Sequence, residues 1–188
     1  MLFRSPQFSP MFGAYRDGEI CRIVFSASVW PNDFGGFVVK RMVLGKEAAE
    51  WERITPQPMY PRAISDVDWK TLEPNAAKRQ TLLAKAKKLT STGSRSQKAF
   101  ASPEKLQKII GSTGNRHLLR RPFSWFWKSG DFDFPLIFGT GFIDRSISGD
   151  EKYRYGLFPI IGGKLSDSPV RTCLVPSNPR DDRLKLLN

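Results

Sequence analysis

Between Glu19 and Val29 the chain alternates. Cys21, Ile23, Phe25, Ala27 and Val29 fall on one side, and Arg22, Ser26 and Ser28 on the other, with Val24 as the exception. A period of two with one polar face predicts a half-buried β-strand. Residues 1–18 show no such period and read as irregular, closing on the turn signal Arg16-Asp17-Gly18. Phe37–Leu44 is apolar apart from Lys40 and Arg41 and predicts a second strand. Lys46–Arg53, with Ala48, Ala49 and Trp51, predicts a short helix. Pro56, Pro58 and Pro61 then impose an extended connection, because each lacks an N–H and biases its predecessor away from helix.

The period next changes to that of a helix. Within Ala76–Leu89, Leu82, Leu83, Ala86 and Leu89 form a narrow apolar stripe, while Lys78, Thr81, Lys85 and Lys88 line another. Thr90–Gln97 contains no apolar residue and reads as a mobile loop. A second helix is predicted from Ser102-Pro103-Glu104. Ser is a good N-cap, Pro suits the first helical position, and an acid in the first turn complements the helix dipole. Leu106, Ile109 and Ile110 give it a buried side, and Gly111 is placed to end it. A tight loop at Gly111–Asn115 leads to Arg116, His117, Arg120 and Arg121, closed by Pro122.

Strand patterning returns at Phe123, where Phe123, Trp125 and Trp127 share one face. Phe132–Phe138 is apolar except for Asp133 and reads as a strand, with Pro135 arguing for an edge position. Gly139-Thr140-Gly141 leads into Phe142 and Ile143, and Lys152–Ile161 predicts another strand, ended by Gly162-Gly163. The order strands, helices, strands predicts an α+β fold with an antiparallel sheet built from both ends of the chain and a basic helical insertion. Residues 1–69 supply the N-terminal part of the domain, 70–122 the insertion, 123–163 the C-terminal strands, and 164–188 a weakly ordered tail outside Val170–Val175. At 188 residues the chain can bury about 70% of its unfolded surface, so it needs neither disulfide nor metal to fold.

Charge sharpens the picture. Lys70–Lys128 holds fourteen of the thirty Lys and Arg residues but only two acids, Glu73 and Glu104. Its net charge of +12 equals that of the whole chain, so the excess is localised. Localised charge of one sign points to a polyanionic partner. The candidate nucleic-acid contacts are Lys78, Arg79, Lys85, Lys88, Arg95, Arg116, Arg120 and Arg121, with RNA favoured over DNA. An anionic membrane surface is the runner-up, weakened by the narrow apolar stripe and by the first helix having no Trp or Phe. No run of about 18 apolar residues provides a spanning helix. Cys21 and Cys173 are isolated in sequence, which fits a reducing, cytoplasmic setting better than a disulfide framework. The first sixteen residues, without an acid, carry only a faint transit-peptide composition, broken by Pro6 and Pro10.

Candidate chemistry is sparse. Phe123–Phe142 contains eight Phe and Trp residues, mostly expected in a core. Trp125 and Trp127, beside Arg120, Arg121 and Lys128, are the candidates to stack on splayed bases. His117 is the chain's one histidine. A neutral imidazole can take the 2′-hydroxyl proton in metal-free RNA cleavage, although binding or capping within a basic loop explains it more simply. Asp66/Asp68 and Asp131/Asp133 are Asp-x-Asp pairs without a third acid at a telling spacing. No cofactor or metal site is expected.

Two stretches carry a family resemblance, Phe138-Gly139-Thr140-Gly141-Phe142 and Tyr153-Arg154-Tyr155-Gly156-Leu157-Phe158. They resemble the glycine-rich segment and following aromatic strand of the CRISPR repeat-RNA-processing endoribonucleases of the RAMP superfamily. The resemblance covers about 25 residues. It implies one or two ferredoxin-like modules, a repeat-RNA hairpin as ligand, and cleavage without metal or RNA holding without cleavage. The chain departs from the pattern in having no His in its N-terminal third and in having Arg154 where glycine is common. The alternative function is a non-catalytic structural nucleic-acid-binding protein of a ribonucleoprotein, viral or mobile-element assembly. Binding to an acidic protein is a further class.

Overall fold

A computed structural model of the chain describes residues 10–26, 33–46, 49–111 and 131–175. The fold is mixed α+β, and its residues divide into a strand unit and a helical unit. The strand unit is built from Met11–Phe25, Pro31–Tyr60 and the chain from Phe142 onward. The body of the helical unit is Pro61–Gly141.

Among the described residues the strand unit forms two sheets. One has the order β1 (Met11–Asp17), β2 (Ile20–Ser26) and β5 (Gly141–Asp144). The other runs β4 (Glu52–Arg53), β3 (Phe34–Val43), β6 (Tyr153–Ile161) and β7 (Lys164–Leu165), with β8 (Arg171–Val175) also paired to β6. Every pair in this second sheet is antiparallel. Its central pair joins early and late segments of the chain, in register from Phe34↔Ile161 to Val43↔Tyr153. The inner face carries Phe37, Val39, Tyr153, Tyr155 and Leu157, all buried. Phe25 of β2 meets Phe37 edge-on at 4.9 Å, so the two sheets share one core. A register shift between Phe34 and Gly36 lets the Met59 backbone bond Phe37 in both directions, at 2.8 and 2.7 Å. Gly36 has φ +110°, and a Cβ there would strike the Met59 carbonyl oxygen, so glycine is required.

A charged group lies inside this core. Arg41 is 7% exposed and Asp144 2%. Arg41 Nη1 donates to Asp144 Oδ2 at 2.9 Å and to the Ser146 carbonyl at 3.0 Å, and Nη2 donates to Glu52 Oε2 at 2.6 Å. Tyr155 OH donates to the same Asp144 oxygen at 3.0 Å, and Ser146 donates its N–H and Oγ–H to Oδ1. Burial alone would lower the Arg41 pKa. The Glu52 hydrogen bond and the Asp144 charge outweigh it and hold the guanidinium above its ordinary value. Burial, first of all, pushes the Tyr155 hydroxyl well above its own, so Tyr155 remains a donor. Arg16, 1% exposed, spends its guanidinium on the carbonyls of Gly18, Ser148 and Glu151, which fastens residues 148–151 to β1.

Four expectations need correction. Residues 11–17 form β1 rather than irregular chain. The buried residues of the strand are Gly13 and Arg16, three positions apart and neither of them a large apolar side chain, so no apolar period of two marks it. Lys46–Arg53 is not helical at its described residues. Glu52–Arg53 pairs with β3 as β4, because Glu52 is drawn to Arg41. Phe132–Phe138 is not an edge strand but the short helix α5 (Asp133–Ile137). Asp131 accepts the Asp133 N–H at 3.0 Å, and Pro135 stands in the first turn, where its missing N–H costs nothing. Thr90–Gln97 is not a loop, as described below. Residues 164–175 carry β7 and β8. The strand expected at Phe123–Trp127 lies outside the described residues.

Removing Asp144 strands a buried guanidinium, so Asp144→Ala should destabilise the protein by about 3–5 kcal/mol. Glu52 is largely exposed, and Glu52→Ala should cost about 1 kcal/mol or less. Urea midpoints at unchanged m-value check both, and similar losses from the two variants would refute the assignment.

Candidate nucleic-acid interface

Helix formation in the helical unit is locally encoded. Asp68 caps α1 (Trp69–Leu72), accepting the Thr71 N–H at 3.1 Å and its hydroxyl at 2.7 Å. Asn75 caps α2 (Ala76–Thr92), accepting the Lys78 N–H at 3.1 Å. The helix buries Ala86 and Thr90 and half-buries Leu82, Leu83 and Leu89, which orients its remaining sides outward. It runs three residues beyond Leu89. The Thr90 hydroxyl returns to the Ala86 carbonyl at 3.0 Å, and the Gly93 N–H caps Leu89 at 3.1 Å. A Cβ on Gly93 would collide with that carbonyl and with Gln97 Oε1. Ser94 N–H donates to Gln97 Oε1 at 2.7 Å, and this capping box starts α3 (Arg95–Lys98). The polar residues of the expected loop are therefore cap residues.

Ala99 and Phe100 are buried and lead to α4 (Pro103–Gly111). Leu106, Ile109 and Ile110 face inward there, as their spacing indicates. A Ser102 hydrogen bond, first of all, holds the Glu104 carboxyl below its usual range. Phe100, Phe134 and Phe138 form the centre of the unit, with ring centroids 4.6–5.3 Å apart. Arg62 braces the end of α5, donating to the carbonyls of Ile137 (3.0 Å) and Leu136 (3.3 Å).

This scaffold sorts the bases. Lys78, Lys87, Lys88, Arg95, Lys98, Lys105 and Lys108 are exposed on α2, α3 and α4. Glu104 is the only acid between residues 76 and 111. Arg79 is half-buried and turns back on the carbonyls of Glu73 (3.0 Å) and Pro74 (3.1 Å). Lys85 lies 2.5 Å from both Asp131 and Asp133. Burial opposes its charge, but the hydrogen bonds it donates to Asp131 and then to Asp133 raise its pKa. The Asp131/Asp133 pair therefore serves a lysine, and Asp68 serves a helix cap. Among the described residues no group of three or more His, Cys, Asp or Glu could hold a metal ion. Among them, too, no helix is long and apolar enough to cross a membrane.

Comparison with protein-family models, curated proteins and solved structures finds no match to this chain. Its residues must carry the functional reading.

Of the expected contacts, the structure places Lys78, Lys88 and Arg95 on the open surface and gives Arg79 and Lys85 internal partners. Arg116, Arg120, Arg121, Trp125, Trp127 and the catalytic candidate His117 lie outside the described residues. Sequence reading named neither Lys87, Lys98, Lys105 and Lys108 as contacts nor the Arg41–Asp144 group. A charge in phase with the apolar residues of a strand, as Arg41 is with Phe37 and Val39, is the signal for the latter.

Lys85→Met should lower stability by about 1 kcal/mol or less, whereas Lys88→Met should leave it unchanged. A raised lysine pKa stabilises fully below the ordinary 10.5 and ceases to as pH rises through the higher folded value. The difference between Lys85→Met and wild type in urea should therefore persist at pH 7 and fade only in strong alkali.

Proposed function

We propose that the chain is an RNA-binding protein whose helical unit grips the phosphate backbone. The observation that carries this reading is the run of exposed bases on α2, α3 and α4 with Glu104 as the single acid. A solvated helix face ordinarily mixes charges, and among the described residues these like charges form no ion pair. Phosphates relieve that repulsion, and release of their condensed cations adds to affinity. The contact set is Lys78, Lys87, Lys88, Arg95, Lys98, Lys105 and Lys108, continued in sequence by Arg116, Arg120 and Arg121. Lys85 acts differently: it joins α2 to α5 and fixes the direction of the exposed flank.

The resemblance to repeat-RNA-processing endoribonucleases adds metal-free cleavage, for which His117, the chain's one histidine, is separately the candidate general base. It rests on the short C-terminal stretches alone. Phe138–Phe142 is the turn from α5 into β5, and Tyr153–Phe158 belongs to β6.

Reversing Lys78, Lys87, Lys88 and Arg95 to Glu should abolish RNA binding at low salt and leave the thermal midpoint unchanged. Single neutral replacements should each flatten the slope of log K against log salt by about 0.7 for single strands. Unchanged affinity in the reversed protein would refute the interface. For cleavage, His117→Ala should remove product formed in EDTA while RNA remains bound, and retained cleavage would rule His117 out.

A further inference from the structure

The outward face of the five-stranded sheet has an open half with its own chemistry. Antiparallel partners point to the same side. The register therefore sets Arg53, Lys40, Gly156 and Thr172 in one row and Met42, Arg154 and Leu174 in the next. Arg53, Arg154, Thr172 and Leu174 are exposed, Leu174 at 60%. No acid occupies either row.

Trp51 belongs to this face. It precedes β4 by one residue, in phase with Arg53. Its indole lies over the bare backbone of Gly156, where an added Cβ would come within 2.9–3.0 Å of the six-membered ring. Phe158 holds the indole edge-on at 5.3 Å and is itself buried. Lys40 Nζ sits 4.5 Å from the Phe158 centroid. Trp51 is thus a rigid, half-exposed aromatic, seated by a glycine and braced by a second ring. Arg154 lies two residues along β6 from that glycine and on the same face.

We propose that this half-face is a second RNA contact, in which one unpaired base stacks on Trp51 and its phosphate meets Arg154 and Lys40. The occupant follows from complementarity: an aromatic plate takes a base of any identity, and two cations without acids take the adjoining phosphate. Duplex RNA keeps its bases stacked and offers no plane to the indole, so the site selects single strands. The proposal rests on RNA as the partner but not on the helical surface, and it lies in the other unit of the chain.

The test uses the full chain, a fluorescein-labelled oligouridylate, a fluorescein-labelled RNA duplex and anisotropy at low salt. Trp51→Leu should weaken oligouridylate binding about tenfold and leave duplex binding unchanged. Arg154→Glu, at an exposed position, should weaken the oligouridylate likewise, and it decides the matter alone if Trp51→Leu fails to fold. Unchanged oligouridylate affinity in a folded variant, or equal loss for both RNAs, overturns the stacking site. If the α2/α3 charge-reversed protein loses RNA while Trp51→Leu does not, the helical interface stands and this site falls. The opposite pattern leaves this site standing alone. Wild-type protein that binds neither RNA overturns both.

Discussion

The register between β3 and β6, from Phe34↔Ile161 to Val43↔Tyr153, is the constraint on which the strand unit depends. It joins segments separated by the entire helical unit, so neither can complete its sheet alone. The buried Arg41–Asp144 pair fastens the same junction. Arg41 comes from β3 and Asp144 from β5, while Tyr155 of β6 completes the carboxylate's hydrogen bonds. Such a pair is expensive to desolvate and tolerable only when its geometry is nearly complete. Here the carboxylate receives four hydrogen bonds from Arg41, Tyr155 and Ser146. A strand slipped by one residue would turn Arg41 outward and leave Asp144 buried without its cation, so the pair also penalises wrong registers.

The helical unit handles charge in the opposite way. Among the described residues, Lys78, Lys87, Lys88, Arg95, Lys98, Lys105 and Lys108 stay in water, and the unit's core centres on a small aromatic cluster that needs no polar partner. Arg62, Arg79 and Lys85 turn to internal partners instead, and Lys85 organises the exposed flank. Two carboxylates draw it inward and fix how α2 meets α5, and Lys78 and Lys88 on the same flank are left to solvent. A surface of one charge sign is self-repelling, and its cost falls when a polyanion arrives.

Much of this was legible in the residues. Alternation identified β2, the apolar run at Phe37–Leu44 identified β3, the stretch ended by Gly162-Gly163 identified β6, the helical period identified α2, and the Ser102-Pro103-Glu104 signal located the start of α4. The concentration of Lys and Arg between residues 70 and 128 could be read because a charge excess needs no folding to be counted. What escaped had a common cause. β1 buries Gly13 and Arg16, three positions apart, so no apolar period of two marks it. α5 reads as a strand because five residues are too few to display a helical period. Ser94 and Gln97 looked like loop residues because a cap and a loop use the same side chains.

The sequence by itself determined the fold class, the main elements and the place of the positive charge, all of which depend on local periodicity and composition. Only the tertiary structure decided what individual side chains do. It assigned Lys85 to two aspartates and Lys88 to solvent, although both lie on one helical stripe. It brought Arg41 to Asp144 and seated Trp51 over Gly156. Those outcomes depend on which strands become neighbours. A pairing between distant segments leaves no periodic trace in either, because each strand's pattern records only whether a face is buried, not what is buried against it.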